Sequence, residues 1–202
     1  EKLKDDNDQL RLALQNREVA DIQLKQLKKV LDLAGNGGYK VVAAKVISQG
    51  SSTSFTQTIT IDAGTTSGVF TNMTVLSGYG LVGVVKYAYA NSALVQLASD
   101  PAFKIGARIA RSEQIAILSG QGTRKGLLQL LDNSSEIKKG DVLLARGSQK
   151  GRPFVPGVPI GEVISVSNSP GALTETAEVK FYTNFSTLGV VAVVVSEPRS
   201  DP

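Results

Sequence analysis

Two short motifs in this 202-residue sequence have the residue types and the spacing of known functional sites. The first, Gly78-Tyr-Gly80-Leu-Val-Gly83, matches the G-x-G-x-x-G pattern, whose last glycine opens a helix that faces a dinucleotide pyrophosphate. Here the residues after Gly83, Val84-Val85-Lys86-Tyr87, continue as a strand. We therefore interpret the glycines as residues that let a strand bend, and the sequence predicts no nucleotide site.

The second motif, Ser135-Glu-Ile-Lys138, matches the S-x-x-K of penicillin-recognising enzymes, in which the serine starts a helix and the lysine lies one turn later. The partner motifs S-D-N and K-T-G do not occur in the sequence, and Gly140-Asp141 turns the chain soon after the lysine. We therefore interpret this segment as a polar turn.

The composition removes most other catalytic chemistry. The chain has no cysteine and no histidine, which excludes thiolate nucleophiles, imidazole bases and the usual zinc ligands. The acidic residues beyond residue 34 are scattered, mostly at strand ends where turn chemistry explains them. Examples are Asp62, Asp100, Asp132, Asp141 and Glu162. We expect no catalytic residue, no cofactor and no metal ligand, and we predict that the protein is not an enzyme.

Charge is uneven along the chain. Residues 104–152 contain ten basic and four acidic residues. The basic residues are Lys104, Arg108, Arg111, Arg124, Lys125, Lys138, Lys139, Arg146, Lys150 and Arg152. This excess leaves open an alternative function, a binding module for acidic polymer or nucleic acid. Nucleic acid is not expected as a partner, because this range has no Phe, Tyr or Trp on which bases could stack.

The first 34 residues contain no glycine or proline and are rich in helix-forming residues. A seven-residue repeat predicts a coiled-coil helix over residues 1–36, with Ala13, Ala20, Leu27 and Ala34 completing an a/d seam. The candidate self-association residues are Leu3, Leu10, Arg17, Leu24, Leu27 and Leu31. We expect the seam to pair with another copy of itself, and the alternative is a helix that lies along its own domain. Residues 35–38, Gly-Asn-Gly-Gly, end the helix as a candidate hinge.

From Tyr39 onward the hydrophobic period changes to two, which indicates half-buried strands. Phe55, Ile59 and Ile61 alternate with threonines, and Leu173, Ala177, Val179 and Phe181 alternate with polar residues such as Thr174. Short strands between glycine-rich turns favour barrels over units that need intervening helices. The predicted fold class is mainly β, with the N-terminal helix followed by two small β-barrels. We place the first barrel at 37–98 plus 185–197 and the second at 99–184.

An internal repeat supports two barrels. Val69–Leu76 resembles Ile137–Leu144, and Leu81–Val85 resembles Pro159–Val163, in the same order. The nearly uninterrupted apolar run Val190–Val195 is expected to be buried on both faces, as the strand that returns to close the first barrel.

The order of these features resembles the region outside the membrane in the bacterial rod shape-determining MreC family. The resemblance covers essentially the whole chain and rests on the order of short motifs after a coiled coil. These motifs are Ile61-Asp-Ala-Gly64, Ser67-Gly-Val69, Met73-Thr-Val75, Gly80-Leu-Val-Gly-Val-Val85, Ser99-Asp100, Gly120-Gln-Gly122, Lys139-Gly-Asp-Val142 and Phe154-Val-Pro-Gly-Val-Pro-Ile-Gly-Glu-Val163.

The resemblance implies a single-pass membrane protein with a short cytoplasmic tail and one membrane helix before Glu1. This region would then lie on the extracytoplasmic side, as a coiled coil and two six-stranded barrels. The family is non-enzymatic and self-associates, as a dimer or a larger assembly that includes filaments. It connects cytoskeletal MreB, through the N-terminal part, and the membrane protein MreD to class B penicillin-binding proteins and their glycosyltransferase partners. The implied function is a scaffold that holds and activates peptidoglycan synthases to maintain rod shape.

For the surface that would hold a synthase, the sequence offers apolar residues in predicted loops. We expect Phe70, Tyr79, Phe154 and Val155 to be exposed there and to form the candidate partner surface.

Overall fold

The computed structural model describes residues 2–50, 56–131, 137–149, 152–167 and 175–196, without the side chains of Lys2, Leu3, Asp5 and Ser196. Helix α1 (Lys2–Asn36) is followed in these ranges by twelve strands. The strands are β1 (Lys40–Gln49), β2 (Thr58–Ile61), β3 (Thr74–Ser77), β4 (Gly80–Ala88), β5 (Ala93–Leu97), β6 (Lys104–Ile109), β7 (Ile115–Gly120), β8 (Lys125–Leu130), β9 (Val142–Ala145), β10 (Pro159–Ser167), β11 (Thr176–Phe181) and β12 (Val190–Ser196). Phe55, Ser135, Lys150, Leu173 and Thr174 lie outside the described residues.

The strands form two closed, six-stranded antiparallel barrels. Barrel 1 contains β1 to β5 and β12, and barrel 2 contains β6 to β11. The predicted fold class, a helix followed by two β-barrels, is therefore confirmed. The residue boundaries at 36, 98 and 184 stay predictions.

The two barrels have the same strand order. Going round barrel 1, the strands are β12, β1, β2, β5, β4 and β3; going round barrel 2, they are β6, β7, β8, β11, β10 and β9. The chain order differs only in that β12, the counterpart of β6, comes last. Barrel 2 is therefore inserted into barrel 1 between β5 and β12.

The internal repeat seen in the sequence occupies equivalent places in the two barrels. The amide of Asn72 donates to the carbonyl of Val85 at 2.8 Å, and the amide of Gly140 donates to the carbonyl of Val163 at 2.8 Å. These donors have φ angles of 60° and 90°, and they occupy equivalent turns before β3 and β9. The repeat is thus a real structural correspondence.

A glycine at the same place in each repeat lets two strands approach closely. A Cβ on Gly161 of β10 would lie 2.3 Å from the Lys180 carbonyl oxygen of β11. A Cβ on Gly83 of β4 would lie 1.8 Å from the Gln96 carbonyl oxygen of β5. The last glycine of the G-x-G-x-x-G pattern therefore has a packing role.

Helix α1 packs against β12, β1 and β3 on the outside of barrel 1. Alternation along β12 directs Val191 and Val193 into the barrel core and Val190 and Ala192 outward. These outward residues are nevertheless buried, and so is Val30 of the helix, which is 1% exposed. Burial of such a side chain is worth roughly 1.5–3 kcal/mol. The predicted burial of this strand on both faces is confirmed for Val190–Val194.

Polar contacts and small residues complete the surface of barrel 1 on which α1 packs, which we name the helix seat. Gln26 Oε1 accepts a hydrogen bond from the Val190 amide at 2.9 Å. A Cβ on Gly78 would lie 2.3 Å from the Cβ of Lys29, so only glycine lets the helix lie this close. The helix ends at Asn36, and Gly38 follows with a φ of 68°. The first two residues of the candidate hinge at 35–38 therefore belong to the end of α1, directly after the turn that is docked on barrel 1.

Hydrogen bonds also fix the two barrels to each other. Thr74 of barrel 1 donates its hydroxyl to the Pro153 carbonyl at 2.8 Å and accepts the Val155 amide at 3.1 Å. Buried Ser77 and Thr183 share a hydrogen bond of 2.9 Å. Tyr39 donates its hydroxyl to the Pro156 carbonyl, and burial raises the pKa of this phenol, which keeps it a donor.

Gly161→Ala should lower the free energy of unfolding by about 1–3 kcal/mol, because the new methyl group must displace a backbone carbonyl. Gly106→Ala is the matched control in the same barrel, since a Cβ there would meet only Arg146 side-chain atoms at 3.9 and 4.0 Å. It should leave stability within ~0.5 kcal/mol. Urea unfolding measures both variants, and equal stabilities would contradict the close approach of β10 and β11.

Candidate partner surface

The predicted self-association residues lie mostly on an exposed side of α1. Leu10, Arg17, Leu24 and Leu31 are all exposed along the helix. The side chain of Leu3 lies outside the described part of the chain. The structure therefore leaves this stripe accessible to a second helix, and pairing itself stays a prediction.

Leu27, the remaining predicted seam residue, lies elsewhere. It is half-buried, and it is next to Gln26 and one turn before Val30, the residues that contact barrel 1. Ala34, one heptad later, is buried. The d positions of the last turns therefore face barrel 1, because the apolar stripe of α1 is shared between the barrel and the solvent.

Two of the four candidate partner residues are exposed as expected. Phe70 lies in the turn before β3, and Tyr79 lies in the turn after it. They are therefore at opposite ends of that strand and do not form one patch. Tyr79 also contacts α1: its hydroxyl accepts a hydrogen bond from Lys29 Nζ at 2.7 Å, and the same nitrogen lies 4.6 Å from its ring centroid.

The expected exposure of Phe154 and Val155 is wrong. They are 8% and 2% exposed. The ring of Phe154 packs edge-on against Phe103 with centroids 5.5 Å apart, and the Val155 amide donates to Thr74 of barrel 1. These residues lie in a loop by sequence, but that loop is covered because barrel 1 packs over it.

An exposed aromatic pair was missed by the sequence reasoning. Tyr87 and Tyr89 are both largely exposed at the end of β4 and just after it. Their spacing of two residues predicts that they share one side of an extended segment, and that period was the signal available in the sequence. They add to Phe70 as exposed aromatic contacts on barrel 1.

The G-x-G-x-x-G residues do not have the geometry of a nucleotide site. Gly83 lies inside β4, and the strand continues to Ala88. No helix N-terminus follows the motif in this described segment. The interpretation as strand residues is confirmed for Gly80 and Gly83, whereas Gly78 lies in the turn between β3 and β4.

Three of the ten basic residues in 104–152 form ion pairs in the described part of the chain, and a fourth donates to backbone carbonyls. Arg108 bonds Glu113, Lys125 bonds Glu178 at 2.9 Å, and Arg111 forms a two-pronged pair with Asp141 at 2.8 and 2.9 Å. Arg124 donates to the backbone carbonyls of Phe181 and Tyr182. These pairs reduce the charge that the alternative function, binding of an acidic polymer, would need.

The ion pair between Arg111 and Asp141 in barrel 2 changes the pKa of the Asp141 carboxyl. Asp141 is buried, and its hydrogen bonds from Arg111 lower the pKa of this carboxyl below its usual value. The amide of Lys138 donates a further bond at 2.8 Å and acts in the same direction, while burial opposes both. The carboxylate thus ties the turn before β9 to the segment after β6.

Two clefts lie beside these surfaces. One, of about 250 Å³, lies beside the contact between α1 and barrel 1, and the other, of about 230 Å³, lies between the barrels. Among the described residues, no group of three acidic side chains is placed to hold a metal ion. None of the helical segments in the described ranges has the length and hydropathy to span a bilayer.

The geometry of a helix on paired six-stranded barrels can be compared with known families. The family model described as "Rod shape-determining protein MreC, barrel core" matches residues 46–195. The chain belongs to the MreC family. The cell shape-determining protein MreC of Streptococcus pneumoniae is 30% identical over 177 residues, which are 84% of this chain. The chain spans 64% of that relative's length.

Solved MreC structures share the fold. One superposes with a TM-score of 0.76 at 28% identity, over 87% of this chain and 98% of that one. The MreC of Helicobacter pylori, solved in complex with the penicillin-binding protein PBP2, superposes with a TM-score of 0.60 at 16% identity. That match covers 77% of this chain and 99% of the other, and it is a likeness of fold.

Asp141→Asn should lower the free energy of unfolding at pH 7 by about 1–3 kcal/mol, because it leaves Arg111 without its charged partner. A lowered pKa in the folded state gives stability that is present above the unfolded value, about 3.9, and is lost as the pH falls through the folded value. The difference between wild type and variant should therefore shrink at pH 3 in urea unfolding. Exposed Glu113→Gln is the control and should have a much smaller effect. A pH-independent difference would contradict this account.

Proposed function

We propose that this chain is the extracytoplasmic part of a non-enzymatic scaffold that self-associates and holds a peptidoglycan synthase in its active arrangement to maintain cell shape. The observation that carries the proposal is the division of α1. Its last turns are docked on barrel 1, while its first two thirds bear exposed leucines. A helix of 35 residues is about 52 Å long, so a large part of it extends past the seat.

The exposed leucines supply the self-association surface. Leu10, Leu24 and Leu31 repeat at heptad spacing on a side of α1 that no barrel covers. An isolated helix with such a stripe is stabilised when the stripe packs against another helix. Arg17 interrupts the stripe, so we expect pairing to be weak and to be strengthened when chains are concentrated at a membrane.

The barrels supply the surface that holds the partner. Their mutual orientation is set by the hydrogen bonds of Thr74 and Ser77 across the junction. A fixed two-barrel body can bind one conformation of a synthase better than another, and only such differential affinity shifts a population. Phe70, Tyr87 and Tyr89 are the exposed aromatic candidates for this contact.

The class of partner is proposed from the family. The Helicobacter pylori relative is solved in complex with a penicillin-binding protein, and we propose a class B enzyme of that type here. We also propose that in the complete protein a single membrane helix precedes Glu1. The preceding part would then contact MreD and the cytoskeletal MreB, as the family resemblance implies.

Leu10→Asp combined with Leu24→Asp should abolish helix pairing, because two carboxylates would be buried in the seam. Sedimentation equilibrium at high protein concentration and in about 0.5 M salt, which screens surface charge, should show the wild type as a dimer and the variant as a monomer.

Lys4→Ala combined with Arg11→Ala is the matched control. It changes the net charge by the same amount, at exposed helix positions outside the seam, and should stay dimeric. Equal masses for wild type and the Leu10, Leu24 variant would show that the helix stripe is not the pairing surface.

A further inference from the structure

The helix seat of barrel 1 has an unoccupied counterpart on barrel 2. Helix α1 packs on β12, β1 and β3, whose equivalents in the repeated strand order are β6, β7 and β9. In barrel 1, Ala192 pairs with Leu76, and in barrel 2, Arg108 pairs with Leu144. Because the internal repeat aligns Leu76 with Leu144, Ala192 corresponds to Arg108 and Val190 corresponds to Gly106. The residues under the helix in barrel 1 thus have exposed or half-exposed counterparts in barrel 2.

This counterpart, which we name the β6 outer face, is unusually apolar for the outside of a barrel. Its outward aliphatic residues are Ile115 and Ile117 of β7, Leu127 of β8, Leu131 just after β8, and Val142 and Leu144 of β9, all exposed or half-buried. Outward positions of a soluble barrel are normally polar. Gly106, which pairs with Ile117, adds no side chain to the face, and a Cβ there would meet only the flexible side chain of Arg146. A helix can therefore lie against the strand at this point once that one side chain moves aside.

The rim of the β6 outer face is basic. Lys104 is on the outward side of β6, and Arg146 extends over Gly106. Within the described part of the chain, no carboxylate lies within 4.0 Å of either cation, whereas Arg108 is paired with Glu113. A helix that binds here should therefore carry negative charge beside its apolar stripe.

Helix α1 carries a second stripe that the heptad seam does not use. Leu12 and Val19 are 59% and 53% exposed. Leu12 is eighteen residues before Val30, about five helical turns. Leu12 therefore lies on the same side of the helix as Val30, which is the side that docks on barrel 1. Leu10 lies roughly 160° away from Leu12 around the helix. The docking side of α1 thus continues past the seat as an exposed stripe, opposite the heptad leucines.

The charge of this free segment complements the rim. Residues 1–21 contain six acidic and four basic residues, and Asp8 lies one turn before Leu12 on the same side. The last part of the helix, which is docked, is instead basic, with Lys25, Lys28 and Lys29 against Asp32. The acidic, exposed half is therefore the half that fits the β6 outer face.

We propose that the β6 outer face of one copy of this chain binds the free N-terminal half of α1 from a second copy, with Leu12 and Val19 on the aliphatic residues and the acidic flank on Lys104 and Arg146. The contact joins two different surfaces, so it is head-to-tail and extends into a row of copies. It is additional to the helix pairing of the proposed function and leaves the heptad leucines free.

Cysteine cross-linking tests this contact directly, because the chain has no native cysteine. Chains of residues 1–202 carrying Leu12→Cys and Ile117→Cys are mixed and treated with a short bis-maleimide, in the Leu10→Asp, Leu24→Asp background that removes helix pairing. The mixture should give a cross-linked dimer that joins residues 12 and 117, identified by mass spectrometry. Because helix pairing is already removed in this background, a missing product reports on the proposed contact alone.

Leu14→Cys, exposed on the opposite side of the helix, is the matched control with Ile117→Cys and should lose the product. Lys104→Glu combined with Arg146→Glu should lower the yield of the 12 to 117 product about tenfold, as should high salt. Lys86→Glu combined with Lys180→Glu makes the same charge change at exposed sites elsewhere and should leave the yield unchanged. Equal yields from residues 12 and 14, or no product at all, would overturn the proposal. The occupant of the β6 outer face would then have to be sought in another protein.

Discussion

The burial of β12 on both faces is the constraint on which the rest of the structure depends. Val191 and Val193 fill the core of barrel 1, while Val190 and Ala192 need a cover on the outside. Helix α1 is that cover, so one strand joins the helix to the barrel. The same strand enters from barrel 2 and closes barrel 1 against β1 and β3. Helix, first barrel and second barrel are therefore tied together by seven residues near the end of the chain.

The repeated architecture makes the two barrels directly comparable. They share strand order, equivalent turn hydrogen bonds and equivalent close-packing glycines. They differ on one outer face, which is covered by α1 in barrel 1 and exposed in barrel 2. The proposed scaffold would act through surfaces of this kind: the helix stripe, the exposed aromatic residues of barrel 1 and the aliphatic face of barrel 2.

The helix and the strands were predicted well because each depends on the pattern of residues that are neighbours in the sequence. The heptad leucines gave the helix, the period of two gave the strands, and the apolar run after Gly189 gave a strand buried on both sides. The surfaces were harder to predict because they depend on contacts between distant segments. Phe154 and Val155 read as loop residues, but Thr74 and Phe103 cover them. Leu27 was predicted as a seam residue, but it is half-buried on the part of α1 that packs on barrel 1. Tyr87 and Tyr89 were detectable from their spacing alone.

The most direct test of the central claim is the orientation of α1 relative to the barrels, measured by pulsed EPR between spin labels at Asp8→Cys and Leu127→Cys in dilute protein. If the outer face of β12 holds the helix, the distance distribution should be narrow. Val30→Asp should broaden it by releasing the seat, whereas Leu31→Asp, on the exposed side, should not. A broad distribution in the wild-type background would show instead that residues 35–38 act as a free hinge, and it would contradict the account.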